Sequence, residues 1–217
     1  MKINKFILIF IILLNFVISG CTKKEIRNID SRGKNIVCFG DSLTFGYGVN
    51  PGEDYPSALS KMMTIPVINK GISSETSSEA LSRFNADVLD NDPLIVIIEF
   101  CGNDFLSKIP KETSVNNIRQ MVKMAQDKGA MTAIVDISAG LFFADYRIMF
   151  NNLARETGSI FIPGTLSALL TDPSMKSDFL HPNAIGYKII ASRVYRAIIL
   201  YLNQNAIIKR FGKPFPR

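Results

Sequence analysis

The stretch Leu94-Ile95-Val96-Ile97-Ile98-Glu99-Phe100 decides the fold. Nearly every residue in it is aliphatic or β-branched, and it follows the turn pair Asp92-Pro93. A strand with one wet face alternates apolar and polar residues, whereas a continuous apolar run belongs in a sheet covered on both faces. Shorter strands are expected at residues 35–39, 66–68, 131–135 and 159–162. Helix-forming stretches lie between them. Residues 78–89 put Leu81, Phe84, Val88 and Leu89 on one face, at three- and four-residue steps. Ser114 is expected to cap a helix carrying Val115, Ile118, Met121, Val122 and Ala125, which Gly129 ends. Residues 55–63 and 145–157 form two more, the second closed by Gly158, and His181-Pro182 opens a long helix over residues 183–202. Helical crossovers join parallel strands. The expected fold is a flavodoxin-like, three-layer α/β/α sandwich around a mostly parallel sheet of about five strands.

In such folds ligands bind at the carboxyl ends of the strands, so the polar residues there carry the functional reading. The first strand runs into Gly40-Asp41-Ser42-Leu43, the second into Asn69-Lys70-Gly71, and the third into Cys101-Gly102-Asn103-Asp104. A fourth cluster, Asp178-Phe179-Leu180-His181, precedes the last helix. His181 is the only histidine in the chain, so a Ser–His hydrolase built from this sequence has no other imidazole base. Asp178 is close enough in sequence to orient that ring. Taken alone, Asp-x-x-His before a proline also fits a helix start, and Ser42 beside Gly40 also fits a turn cap. Gly46-Tyr47-Gly48 is not a dinucleotide fingerprint, because Pro51 stands where the third glycine belongs.

Together these blocks resemble the SGNH (GDSL) hydrolases. Gly40-Asp41-Ser42-Leu43, Gly71, Gly102-Asn103-Asp104 and Asp178-x-x-His181 stand in the order and rough spacing of that family. The likeness extends through Asn69-Lys70-Gly71-Ile72-Ser73 and His181-Pro182-Asn183-Ala184-x-Gly186-Tyr187, and so covers nearly all of residues 35–202. The run from Gly40 to Gly48 is most similar to the arylesterase, thioesterase I and lysophospholipase branch. The resemblance implies that Ser42 attacks an acyl carbonyl, that His181 takes its proton, and that Asp178 holds His181. It implies an oxyanion hole made of the Ser42 and Gly71 N–H groups and the Asn103 amide. The implied activity is hydrolysis of carboxylic esters or thioesters without metal or organic cofactor. A carbohydrate O-acetylesterase or acyltransferase of the same fold, acting on envelope glycans, is the second reading. A catalytically dead binding lipoprotein is a third, against which stands the filling of every triad and oxyanion position. One departure is Cys101, where the family usually has glycine; a side chain there is expected to narrow the crevice or shift Asn103.

The first residues read differently. Lys2 and Lys5 flank an apolar run over residues 6–17, broken only by Asn15, and Ser19-Gly20 precede Cys21. This is a secretory signal pattern, and the apolar run is shorter than a membrane-spanning helix needs. Ile18-Ser19-Gly20-Cys21 resembles the bacterial lipobox, which implies cleavage after residue 20 and a diacylated Cys21. The expected organisation is a signal peptide (1–20), a tether (21–34), a hydrolase domain (35–202) and a basic tail (203–217) with Lys209, Arg210, Lys213 and Arg217. The expected location is the cell envelope, with the membrane met through the lipid anchor. Thr22 lacks the aspartate that marks inner-membrane retention, so outer-membrane sorting is expected in a host with two membranes. Cys38 and Cys101 are read as buried thiols, although export leaves a disulfide open. Charged residues form 20% of the chain and no basic stripe interleaves with aromatics, so no nucleic-acid partner is expected. The substrate is expected to be a small-molecule or lipid acyl ester, and C-x-x-C or H-E-x-x-H zinc spacing is absent.

Overall fold

The computed structural model describes residues 25–138 and 143–211. Five strands, β1 (Asn35–Gly40), β2 (Val67–Gly71), β3 (Pro93–Glu99), β4 (Met131–Val135) and β5 (Ile160–Ile162), form a parallel sheet in the order β2-β1-β3-β4-β5. Every residue of β3 and β4 is buried, as a sheet covered on both faces demands. Helix α2 (Tyr55–Ser60) packs on the long α7 (Ala184–Phe211). Helix α3 (Ser77–Asp87) packs on α5 (Lys111–Asp127), which packs on α6 (Ala144–Thr157). Right-handed crossovers put these two groups on opposite faces. The α/β sandwich expected from the apolar runs is the fold observed. The chain leaves β1 for β2, then crosses back past β1 to β3. That reversal opens a crevice at the carboxyl end of β1.

Phe39 stands at the centre of the core. Its ring meets Phe84 at 5.2 Å and Phe100 at 5.3 Å, both edge-on, and the Arg83 guanidinium lies 4.3 Å from its centroid.

Element ends differ from expectation in instructive ways. Helix α3 starts at Ser77 because Thr76 and Glu79 form a reciprocal capping box. Helix α5 starts at Lys111, directly after Pro110, whose ring fixes φ; Ser114 is buried inside it and is not its cap. Two short turns of helix, α1 (Ser42–Phe45) and α4 (Gly102–Leu106), directly follow strands and lack the length to show a period. The largest correction concerns α7, which runs on to Phe211 instead of ending at Leu202. The exposed Asn203 and Gln204 suggest a tail, but Leu202 and Asn205 are buried.

The expected tether is also corrected from Glu25 onward. Arg27 N–H donates to the Gly158 carbonyl at 2.9 Å, and the Asn28 amide to the Gln126 and Ala130 carbonyls at 2.7 and 2.9 Å. Lys34 N–H donates to the Asp92 carbonyl at 2.9 Å. These partners sit just before β5, β4 and β3, so the segment crosses beneath the amino-terminal edge of the sheet. From α7 the Asn205 amide donates to the Ile29 and Ser31 carbonyls at 2.8 and 2.9 Å. Asn205→Ala leaves both carbonyls without that donor and is expected to lower stability by about 1–3 kcal/mol, read by urea unfolding. A change within error would show that the segment is not held by this side chain.

Residues 1–24, including the expected signal peptide and Cys21, and residues 212–217 lie outside the described residues. Among the described residues no helix is long and apolar enough to cross a membrane.

Candidate active site

Four chain segments converge at the carboxyl end of β1. Gly40 ends the strand, and no larger residue fits there: a Cβ would lie 2.1 Å from Thr44 Oγ1 and 2.6 Å from the Glu99 carbonyl oxygen. Asp41 caps α1, accepting from Leu43 N–H at 3.1 Å. Ser42 is the first residue of that turn, and among the described residues its N–H has no acceptor.

The Ser42 Oγ lies 3.0 Å from His181 Nε2. On the other side of the ring, His181 Nδ1 lies 2.9 and 3.0 Å from Asp178 Oδ2 and Oδ1. Asp178 also accepts from the backbone N–H groups of Leu180 and His181 at 2.7 and 2.8 Å. Partial burial works against its charge, but these N–H donors and the His181 ring outweigh it and hold the carboxyl below its usual range. The Tyr47 ring packs at 4.5 Å from the imidazole, and the buried Tyr187 fixes Tyr47 by donating to its carbonyl at 3.0 Å.

The structure brings Gly71 and Gly102 against the same turn. A Cβ on Gly71 would lie 2.1 Å from Phe45 N, so only glycine lets β2 approach this closely. The Gly71 N–H donates to Asn69 Oδ1 at 2.9 Å. It can serve an oxyanion only by sharing or exchanging that bond. Gly102 stands beside Asp41, 3.5 Å from its Oδ2 at the Cβ position, which sets Asn103 next to the crevice. The Asn103 amide gives one hydrogen to the Glu75 carbonyl at 3.0 Å, which orients it and leaves the other N–H to aim elsewhere. Arg83 steadies that carbonyl's loop through the Glu75 carboxylate, with Nε–Oε1 at 2.7 Å, and also binds Asp87 at 2.8 Å and the Lys70 carbonyl at 3.1 Å.

Cys101 carries a left-handed φ of +112°, which explains the glycine usual at that position. Its side chain is buried in the core and does not line the crevice. Cys38 and Cys101 are both buried free thiols. Burial pushes the Cys38 thiol up to about 12 and the Cys101 thiol well above its usual range, so neither supplies a thiolate.

Sequence reading missed the carboxylates beneath the Ser42 turn. Glu99 Oε2 accepts from Thr44 O–H at 2.9 Å and from Asp41 N–H at 3.3 Å, and both acids are fully buried. A lone Glu in an otherwise apolar strand was the available signal. Burial, then the repulsion between the two, pushes Glu99 well up, and burial above all takes Asp41 to about 7. The pair therefore retains a proton near neutrality. The raised pKa means that the folded chain holds this proton more tightly than the unfolded one. The stabilisation is complete below 3.8 and is lost as pH rises through about 7. Glu99→Gln supplies a permanently neutral partner. Its melting temperature relative to wild type is expected to climb across that pH window; a constant difference would contradict the shared proton.

A serine bonded to an imidazole that is bonded in turn to a carboxylate, at the carboxyl edge of a parallel sheet, is the arrangement of a serine hydrolase. Residues 38–189 match the GDSL-like Lipase/Acylhydrolase family, and the chain belongs to it. It is an ester-hydrolysing enzyme. An arylesterase of Vibrio mimicus is 26% identical over 201 residues, covering 88% of this chain and 98% of that protein. An uncharacterised lipoprotein, YqeF of Bacillus subtilis, is 34% identical over 108 residues, covering 46% of this chain and 40% of that protein. Among solved structures, the psychrotrophic esterase EstA from Pseudoalteromonas sp., inhibited by monoethylphosphonate, superposes with a TM-score of 0.70. That match is 28% identical and covers 78% of this chain and 99% of the other.

Proposed function

We propose that the enzyme cleaves small carboxylic esters or thioesters through an acyl-enzyme on Ser42. The observation that carries this reading is the continuous line Ser42 Oγ–His181 Nε2–His181 Nδ1–Asp178, with links of 3.0 and 2.9 Å. Ser42 Oγ attacks the acyl carbon while His181 Nε2 takes the hydroxyl proton, and Asp178 stabilises the imidazolium that results. His181 then gives the proton to the departing alcohol or thiol, leaving the acyl group on Ser42. Water attacks this ester, losing a proton to His181, and releases the acid and the free serine. The Ser42 N–H, the free hydrogen of Asn103 and the Gly71 N–H are the proposed oxyanion donors.

Exposed apolar side chains flank each of these segments: Phe45 and Tyr47 beyond Ser42, Phe105 beyond Asn103, and Phe179 and Leu180 between Asp178 and His181. They favour an aryl ester or a longer acyl chain over a bare sugar acetate. The arylesterase relative supports the same choice. We further propose that Cys21 is diacylated and holds the enzyme in the cell envelope, a reading that the Bacillus lipoprotein relative supports.

A panel of p-nitrophenyl esters from acetate to palmitate, run beside an acetylated glycan, tests the substrate class. Highest kcat/KM on a p-nitrophenyl ester is expected; highest turnover on the glycan would replace this reading with the carbohydrate esterase. Asn103→Ala is expected to lower kcat about 100- to 1,000-fold with KM nearly unchanged, because its hydrogen bond tightens only in the transition state. A lowered melting temperature without a specific loss of kcat would make Asn103 a turn residue only.

A further inference from the structure

We infer that the esterase site faces away from the membrane that holds the lipid anchor, so that its substrates are water-borne esters and not lipids of the anchoring leaflet. This rests on the two proposals above, acyl transfer at Ser42 and diacylation of Cys21.

The geometry that carries it is the docking of residues 25–34 beneath the sheet. Glu25 lies against Gly158, just before β5: a Cβ on Gly158 would sit 2.9 Å from the Glu25 carbonyl oxygen. From there the chain is held by Arg27 on Gly158, Asn28 on Gln126 and Ala130, and Asn205 on Ile29 and Ser31. All these contacts lie at the amino-terminal edge of the strands. Ser42, Gly71 and Asn103 follow the carboxyl ends of β1, β2 and β3. His181 precedes the first residue of α7, whereas Asn205 near its other end grips the docked segment. At 1.5 Å per residue, the helix between Ala184 and Asn205 spans about 30 Å.

Only Thr22, Lys23 and Lys24 separate Cys21 from Glu25. Even fully extended, that stretch reaches about 14 Å. A tether of that length, fixed at the far edge, cannot turn a crevice about 30 Å away back onto the bilayer. Tipping the domain on its side lowers the site without pointing its mouth at the lipid. The exposed Tyr47, Phe105, Phe179 and Leu180 then serve substrate arriving through water, since the anchoring bilayer is out of their reach.

The test uses the full-length lipidated enzyme in vesicles of phosphatidylethanolamine and phosphatidylglycerol. Two phosphonate probes are compared, one water-soluble and one carried on a dipalmitoyl lipid in the same vesicles, with covalent labelling as the readout. A second enzyme carries 40 Gly/Ser residues inserted between Lys24 and Glu25, a coil with a root-mean-square reach of about 35 Å. The soluble probe is expected to label both enzymes at one rate. The lipid probe is expected to label wild type at least about tenfold more slowly than the extended enzyme, since a tether too short to span gives almost no effective concentration. Dissolving the vesicles in detergent is expected to abolish the difference. Equal labelling of both enzymes by the lipid probe in intact vesicles would overturn the inference. Failure of the soluble probe would instead overturn the esterase reading, and an intact mass without lipid on Cys21 the anchor; either removes the inference with it.

Discussion

Ser42→Ala is expected to lower kcat for ester hydrolysis about 10⁶-fold while leaving KM within a few-fold of wild type. The substitution removes only the hydroxyl 3.0 Å from His181 Nε2 and leaves the proposed oxyanion donors and the apolar rim in place. Those remaining groups still favour the reaction over water by roughly 10³–10⁴, which sets the floor. Ser42 is only partly buried and its hydroxyl reaches another segment only through the His181 ring, so the melting temperature is expected to stay within a few degrees. Steady-state kinetics on a p-nitrophenyl ester, with an active-site titration, checks this. A loss below about 100-fold would mean a different nucleophile. Cys38 and Cys101 are poor candidates for it, since burial suppresses both thiolates.

His181→Ala is expected to cost nearly as much, about 10⁶-fold in kcat, because groups that act as one unit fail together. No second histidine exists to substitute for it. The removed ring leaves a space between Tyr47, Asp178 and Ser42, so added imidazole is expected to restore part of the activity. A purely structural histidine would show no such rescue. Asp178→Asn is expected to fall between, at about 10⁴-fold, since an amide in place of the carboxylate favours the wrong imidazole tautomer.

The layers of the fold were legible because β3 is apolar without a break, and burial on both faces is the one setting that tolerates such a strand. The core positions of α3 and α5 were legible for a similar reason: Phe84, Ile118, Met121 and Val122 recur at the helical period and are buried. What escaped was decided by distant partners. The extension of α7 depends on Asn205 meeting the carbonyls of Ile29 and Ser31, on residues far away in sequence. The docking of the supposed tether depends on the same contacts. Polar residues in both segments look solvated until their partners are known.

In the site, Ser42, Asp178 and His181 were legible as separate blocks, but only the fold makes the Ser42–His181 distance meaningful. The Glu99–Asp41 pair was not legible, because a buried acid in a strand reads as an exception until its neighbour is placed beside it. The oxyanion role of the Gly71 N–H is implied by the family resemblance, and the structure shows that Asn69 competes for that N–H. Cys101 illustrates the reverse: its left-handed φ explains the family's glycine, while the departure to cysteine, which the sequence registers, places a side chain in the core and not in the crevice.

The most direct test of the central claim is covalent. The enzyme is incubated with a fluorophosphonate, digested, and the modified peptide located by mass spectrometry. The account predicts a single adduct on Ser42, absent from Ser42→Ala and formed far more slowly by His181→Ala. An adduct on another residue, or undiminished labelling of Ser42 in His181→Ala, would contradict it.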